Sequence, residues 1–250
     1  MNGNCNILFT RSWFYHSPFT IHLSLLQNQP ALHYNERVQI NLGLFITFEG
    51  GEGTGKSTQC RLLAEYLQGA GYEVVSTHEP GGSGIGAQIR SIVLDPAKPL
   101  YPQAEVMLYM ADRAQHIREV IQPALDAGRV VISDRYADAS LAYQGYGRGL
   151  PLEMIARLND YATAGLEPAI TFLLDMDVKA GICRVRSRCN GQPMGDRIEQ
   201  EPLDFHQRVR NGYLKIAAEN PSRYRVIDAA LAVTQVREQI IQQIQPLLRK

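Results

Sequence analysis

The sequence predicts an α/β fold: a five-stranded parallel sheet with helices on both faces and a small arginine-bearing lid. Three observations predict it. A glycine-rich stretch, Gly50 to Gly55, separates the apolar run Leu44–Glu49 from a helical pattern that opens at Lys56. Strand-like and helix-like segments then alternate to the end of the chain, which is the pattern of a parallel sheet with right-handed crossovers. Finally, Val130-Val131-Ile132 and Ile170–Leu174 are apolar without alternation, as strands covered on both faces must be.

Taken in order, residues 1–42 stand apart. Trp13, Phe14, Tyr15, Phe19 and Leu23 to Leu26 are mixed with Asn, Gln, His and Pro, with no period of 2 or 3.6. Arg11 is the only early base and no apolar block precedes a small-residue cleavage site, so neither a transit nor a secretory peptide is matched. This segment is read as a non-core extension, with a start codon assigned too early as one origin, and residues 43–250 as a single domain. Leu44–Glu49 is the first strand. Lys56–Gly69 has helical spacing through Leu62, Leu63, Tyr66 and Leu67, and Gly69-Ala70-Gly71 ends it. Tyr72–Thr77 is the second strand, followed by the turn His78-Glu79-Pro80-Gly81-Gly82. Ile85–Leu94 and Gln103–Ala127 read as helices, Arg129–Ser133 as the third strand and Ala137–Gln144 as helical. Pro151–Ala162 is a helix with proline suited to its first turn. Ala169–Leu174 is the fourth strand, Lys179–Arg188 a helix and Asn190–Gly195 a polar loop. Leu203–Glu219, the fifth strand Tyr224–Ile227 and the helix Val233–Leu248 complete the chain.

Bulk properties exclude several classes. Lys and Arg number 25 and Asp and Glu 25, so the net charge gives no general affinity for nucleic acid or an anionic membrane. No apolar run reaches the roughly 18 residues a membrane helix requires. Cys5, Cys60, Cys183 and Cys189 form no CxxC or Cys/His cluster and read as thiols of a reducing compartment, the cytoplasm.

The chemistry starts at the glycine-rich loop. Gly50, Gly55, Lys56 and Ser57 fit the phosphate-loop spacing G-x-x-x-x-G-K-[ST]. Backbone N–H groups of the loop and of the following helix terminus point at phosphate oxygens, Lys56 reaches the β- and γ-phosphates, and the Ser57 hydroxyl suits Mg2+. The predicted fold is therefore the three-layer phosphate-loop NTPase fold. Its ligands gather at the carboxyl ends of the strands, where His78, Asp134-Arg135, Asp175 and Asp228 also fall. Asp134 stands where a carboxylate would hold Mg2+, and Arg135 beside it can grip a phosphate bidentately. Arg90 and Arg113 lie on predicted helices able to face the same cleft, and several arginines around one pocket suit an acceptor that carries a phosphate. Arg184, Arg186, Arg188 and Arg197 flank a stretch containing Gly191, Pro193 and Gly195. An arginine closing from there would neutralise charge on the transferring phosphoryl group, a contribution of about 10³–10⁵ in rate.

These residues resemble a family. Phe48–Thr58, His78–Gly82, Asp134-Arg135-Tyr136, Ser140–Gly145 and Asp196–Glu199 are similar, in order and spacing, to bacterial thymidylate kinases over about residues 44–248. The resemblance implies transfer of the γ-phosphoryl group of ATP to dTMP with Mg2+ on Ser57 and Asp134. Gly50, Gly51, Glu52, Gly53, Thr54, Gly55, Lys56, Ser57 and Thr58, with Arg184, would bind ATP. Glu52 would also meet the sugar 3′-hydroxyl of dTMP, and Arg90 and Arg135 its phosphate. Tyr109 would stack on thymine, Arg113 bond a base carbonyl, Ser140, Tyr143 and Gln144 close the pocket, and Glu79 and Pro80 shape its floor. The family carries its catalytic arginine either in the loop, where this chain has Gly53, or in the lid. Here the lid, about residues 184–198, would supply it, with Arg188 foremost and Arg184 and Arg186 in support. Lys56, Asp134 and Arg135 complete the implied catalytic set. A homodimer formed partly through Gln103–Ala127 is also implied. Three departures are visible: a long Cys189–Gly195 loop, His78 where arginine is common, and Ser140 for a usual threonine. The alternatives are another nucleoside monophosphate kinase, a deoxynucleoside kinase, or a nucleotide-dependent switch ATPase.

Overall fold

In the computed structural model the described residues are 43–188 and 195–248, and the readings of residues 1–42 and 189–194 lie outside them. The sheet is all-parallel with strand order β2-β3-β1-β4-β5. The strands are β1 (Leu44–Glu49), β2 (Val74–His78), β3 (Val130–Asp134), β4 (Ile170–Asp175) and β5 (Tyr224–Asp228). Register brings Phe48, His78 and Asp134 level at one end, with Asp175 beside Asp228. His78, Asp134, Asp175 and Asp228 thus close their strands, one residue later than the apolar runs suggest. The ladder continues past the last apolar side chain because backbone pairing, not side-chain polarity, sets the strand end.

Helix α1 (Lys56–Gly69) and α9 (Val233–Ile244) cover one sheet face. Leu63, Leu67, Val236 and Ile240 pack there against Ile46, Phe48, Phe172 and Leu174. A buried leucine of this kind contributes about 1.5–3 kcal/mol. The chain also forms α2 (Gly84–Val93), α3 (Pro102–His116), α5 (Ala137–Ser140) and α6 (Leu152–Thr163), with α3 packed on α6. On the other sheet face α4 (Gln122–Asp126) and α8 (Leu203–Glu219) pack against Phe45, Val131, Leu173 and Tyr224. Alternation along β1 sends Phe45, Thr47 and Glu49 to that side, where Thr47 bonds Thr171 across strands at 2.8 Å. Helix α7 (Val178–Arg188) leads toward the lid.

The expected single helix Gln103–Ala127 is interrupted by a π turn at Ile117–Ile121. Pro123 has no N–H and its ring crowds the carbonyl four residues back. Gln122 N–H bonds Ile117 O, five back, and the extra residue absorbs the mismatch. A second π segment, Leu141–Gly147, continues α5, with Arg148 N–H on Tyr143 O at 2.9 Å. Such wide turns recur at functional sites, and this one carries Tyr143 and Gln144. Pro151 caps α6 instead of entering its first turn. No helix among the described residues is long and apolar enough to cross a membrane.

Candidate active site

The loop between β1 and α1 takes its shape from glycine. Gly50 has φ 137°, and a Cβ there would lie 2.4 Å from Leu174 O, so only glycine lets the chain leave β1 beside β4. Lys56 Nζ donates to Gly50 O at 3.0 Å and Gly51 O at 2.8 Å, and Thr54 Oγ1 donates to Gly51 O at 3.0 Å. The ammonium is thus held over the loop mouth. Burial, with Arg135 nearby, lowers its pKa. Ser57 Oγ donates to Asp134 Oδ2 at 2.5 Å, pairing two hard oxygen groups at the ends of α1 and β3. That donor set fits Mg2+.

Arg135 follows β3 in a left-handed conformation, φ 75°, uncommon for a side chain with a Cβ. The surroundings over-determine it. Its N–H donates to Phe48 O at 2.9 Å, Ser133 Oγ donates to its carbonyl at 2.7 Å, and the next N–H, of Tyr136, reaches Glu49 Oε1 at 2.8 Å. The guanidinium is thereby swung over the loop, to Gly50 O at 3.2 Å and Glu52 Oε1 at 2.6 Å, with its face on the Tyr143 ring. Tyr143 O–H also donates to Glu52 Oε1 at 2.6 Å. Burial alone would raise the Glu52 carboxyl, but Arg135 and Lys56 draw it down to about 2.

Arg113 is the best-held cation. It is 1% exposed, and its Nε donates to Glu79 Oε2 at 2.8 Å. Ser140 Oγ, Asn159 Oδ1 and Tyr136 O accept from its Nη atoms at 3.0, 2.6 and 2.9 Å. His116 Nδ1 meets the other Glu79 oxygen at 3.0 Å. Arg90 donates from Nη1 to Pro80 O at 2.8 Å. One cavity of about 790 Å³ is lined by Lys56, Ser57 and Asp134 together with Arg90, Arg113 and Arg135. Its size is that of a small-molecule site.

A cavity lined by a phosphate loop and by three arginines matches what comparison with known proteins finds. The family profile described as thymidylate kinase matches residues 48–240. The chain belongs to the thymidylate kinase family. Thymidylate kinase from Desulfovibrio desulfuricans is 48% identical over 211 residues, covering 83% of this chain and 97% of that one. Thymidylate kinase from a Synechococcus strain is 50% identical over 205 residues, covering 82% and 97%. A crystal structure of thymidylate kinase from Ehrlichia chaffeensis superposes with a TM-score of 0.66 at 35% identity, covering 81% of this chain and 99% of that one.

Against the expectations for a thymidylate kinase, the cavity gathers Glu52, Gly53, Gly55, Lys56, Ser57 and Thr58 from the loop side. From the facing wall it gathers Glu79, Pro80, Tyr109, Ser140, Tyr143 and Gln144 besides the arginines. Gly50, Gly51 and Thr54 line a smaller hollow on the far side of the loop, toward α8. The lid arginines diverge. Arg184 donates to Ala229 O at 3.0 Å, just past β5, and Arg186 is exposed. The side chain of Arg188 lies outside the described residues. Arg197 turns from the cavity into a pocket of its own, with Nε on Val93 O at 2.9 Å and Nη2 ion-paired to Glu105 at 2.6 Å. Its Nη2 has the distance of an ion pair without hydrogen-bond alignment.

Sequence reasoning missed Glu105 and Glu49. Glu105 is 0% exposed and four residues before Tyr109 and eight before Arg113, so helical spacing from those two would have found it. Glu49 sits in the motif already singled out, but its partners, Tyr213 at 2.7 Å and the Tyr136 N–H, are remote in sequence.

Proposed function

We propose that the chain catalyses ATP + dTMP = ADP + dTDP by in-line transfer of the γ-phosphoryl group. The observation that carries this is the placing of Lys56, Ser57 and Asp134 on the same cavity as Arg90, Arg113 and Arg135. A donor triphosphate at the loop and a monophosphate at the arginines would face each other across it. Positioning supplies most of the catalysis in such a transfer. Lys56 is already held at the loop mouth and has only to trade loop carbonyls for phosphate oxygens. Arg135 is fixed by its backbone and would exchange Glu52 for the acceptor phosphate, which frees Glu52 for the sugar hydroxyl. Arg113, committed to Glu79 and three further acceptors, keeps the base wall rigid. The Arg90 guanidinium donates to Pro80 O and lines the cavity, placed to turn toward the acceptor. Tyr109 on the same wall would stack on the base. Ser57 and Asp134 would hold Mg2+, which would supply positive charge to offset that of the phosphates.

The lid is the second part of the proposal. Arg188 ends α7 and would supply the closing charge, with Arg186 in support and Arg184 on the donor side near Ala229. A homodimer formed partly through α3 belongs to the same proposal. Analytical ultracentrifugation tests it. A reducing compartment, the cytoplasm, is the setting this reading assigns to its four cysteines.

A coupled ADP-release assay across dTMP, dUMP, UMP, CMP and thymidine tests the reaction. Turnover highest with dTMP is expected. Preference for another acceptor would transfer the reading to a different nucleotide kinase, and acceptor-independent hydrolysis to a switch ATPase. Arg188→Ala should collapse kcat while dTMP binding stays near wild type, because its contact forms in the transition state.

A further inference from the structure

Glu105 is a fully buried carboxylate at the meeting point of three segments. Its Oε1 accepts from Gln144 Nε2 at 2.8 Å and from Arg148 Nε at 3.2 Å. Its Oε2 accepts from Arg148 Nη2 at 3.1 Å and pairs with Arg197 Nη2 at 2.6 Å. Arg148 in turn binds Glu201 beyond the lid. Burial alone would raise the Glu105 carboxyl, but Arg148, Gln144 and Arg197 bring it below the ordinary range. The group is therefore ionised, and an ionised carboxylate can only accept.

That one-sidedness decides how the neighbouring amide points. Gln144 is 2% exposed and lines the cavity. One of the two N–H groups of Nε2 is spent on Glu105, which holds the planar amide with its carbonyl oxygen, an acceptor, turned away from the carboxylate. Thymine and uracil carry a donor at N3, whereas cytosine carries an acceptor there. We infer that Glu105 is a positioning residue for base selection: by holding Gln144 Nε2 it presents the Gln144 carbonyl to the base and so favours pyrimidines with an N3–H over cytosine. This rests on Gln144 facing the base, as proposed above. The mechanism is rejection of an acceptor that would leave a buried acceptor unpaired, which is the costly kind of mismatch.

The test is the ratio of dissociation constants for dCMP and dTMP, measured by calorimetry on the full chain. In Glu105→Gln the new amide can offer either a donor or an acceptor, so Gln144 is no longer forced one way. The ratio should fall at least about tenfold, with kcat on dTMP within about threefold of wild type. Arg148→Gln removes a partner of Glu105 without touching the Gln144 bond and should keep the wild-type ratio. A Glu105→Gln protein with the wild-type ratio overturns the inference, as does an Arg148→Gln protein that loses it equally, since Glu105 would then act through its arginines. If Glu105→Gln does not fold, the charge-balanced Glu105→Gln/Arg148→Gln double is measured in its place, with the same ratio loss expected and an unchanged ratio fatal. Gln144→Leu separates the two layers. An unchanged ratio there removes Gln144 from the base site and the inference with it, while a lowered ratio there beside a normal one in Glu105→Gln overturns the inference alone.

Discussion

Gly53 in the phosphate loop and Gly181 in α7 meet backbone to backbone. A Cβ on Gly53 would lie 2.1 Å from Gly181 O, and one on Gly181 would lie 2.4 Å from Glu52 O. Gly53 also has φ 73°, so both space and conformation forbid a side chain while α7 is seated. A loop-borne catalytic arginine has no room in this chain, and the stem of the lid rests directly on the loop.

Gly53→Arg should therefore fail to restore turnover to an Arg188→Ala protein, although it returns a guanidinium to the neighbourhood. Steady-state kcat decides it. Recovery to within about tenfold of wild type would show that α7 can withdraw at little cost.

Asp134→Asn keeps the size of the side chain that Ser57 bonds at 2.5 Å but removes its charge. The Mg2+ concentration for half-maximal ADP release should rise by about tenfold or more, since hard cations bind through carboxylate charge. An unchanged titration would take Asp134 out of the metal site.

Arg113→Ala should act on stability more than on the reaction. It strands Glu79 with only His116, and breaking a buried pair costs about 3–5 kcal/mol. Arg90→Ala removes one bond to a carbonyl and should leave stability nearly unchanged while raising KM for dTMP. Urea unfolding of both variants checks the contrast, which fails if the two lose equal stability.

Glu49 sets a pH dependence of stability. Burial, with Asp138, raises its carboxyl to about 8 against an ordinary 4.5, although Tyr213, Arg135 and the Tyr136 N–H oppose the rise. Between those values the unfolded chain has released a proton that the native chain keeps, so the native state loses stability as pH rises through the window. The advantage is complete below 4.5 and gone above about 8, on the order of a few kcal/mol. Glu49→Gln mimics the protonated form and should flatten the curve. Thermal melts across that range that run parallel in the two proteins would refute the assignment.

Much of this was legible beforehand. The bounds of β1, α1 and α8 are those the apolar periods predict, because each buries a face whose spacing is written locally. The gathering of Arg90, Arg113 and Arg135 beside Lys56 was also foreseeable, since a parallel sheet brings its strand ends and the loops after them to one edge. The π turns were not, because an i+5 turn and an i+4 turn have nearly the same hydrophobic spacing over so few residues. Nor were the partners of Arg113, since Glu79 lies 34 residues away and Asn159 lies 46. Which cation stays available to a substrate and which is spent inside the wall depends on packing alone.

By itself, then, the sequence determined the order of strands and helices, the phosphate loop and the carboxylate at the end of β3, because these follow from short-range periods and fixed spacings. Only the tertiary structure decided that Arg113 and Glu105 are buried frame members, that Arg197 leaves the cavity, and that Gly53 has no space for a side chain. The physical reason is common to all four. Hydrogen-bond partners and close backbone contacts are set by elements far apart in the chain, and they exist only once the sheet has brought those elements together.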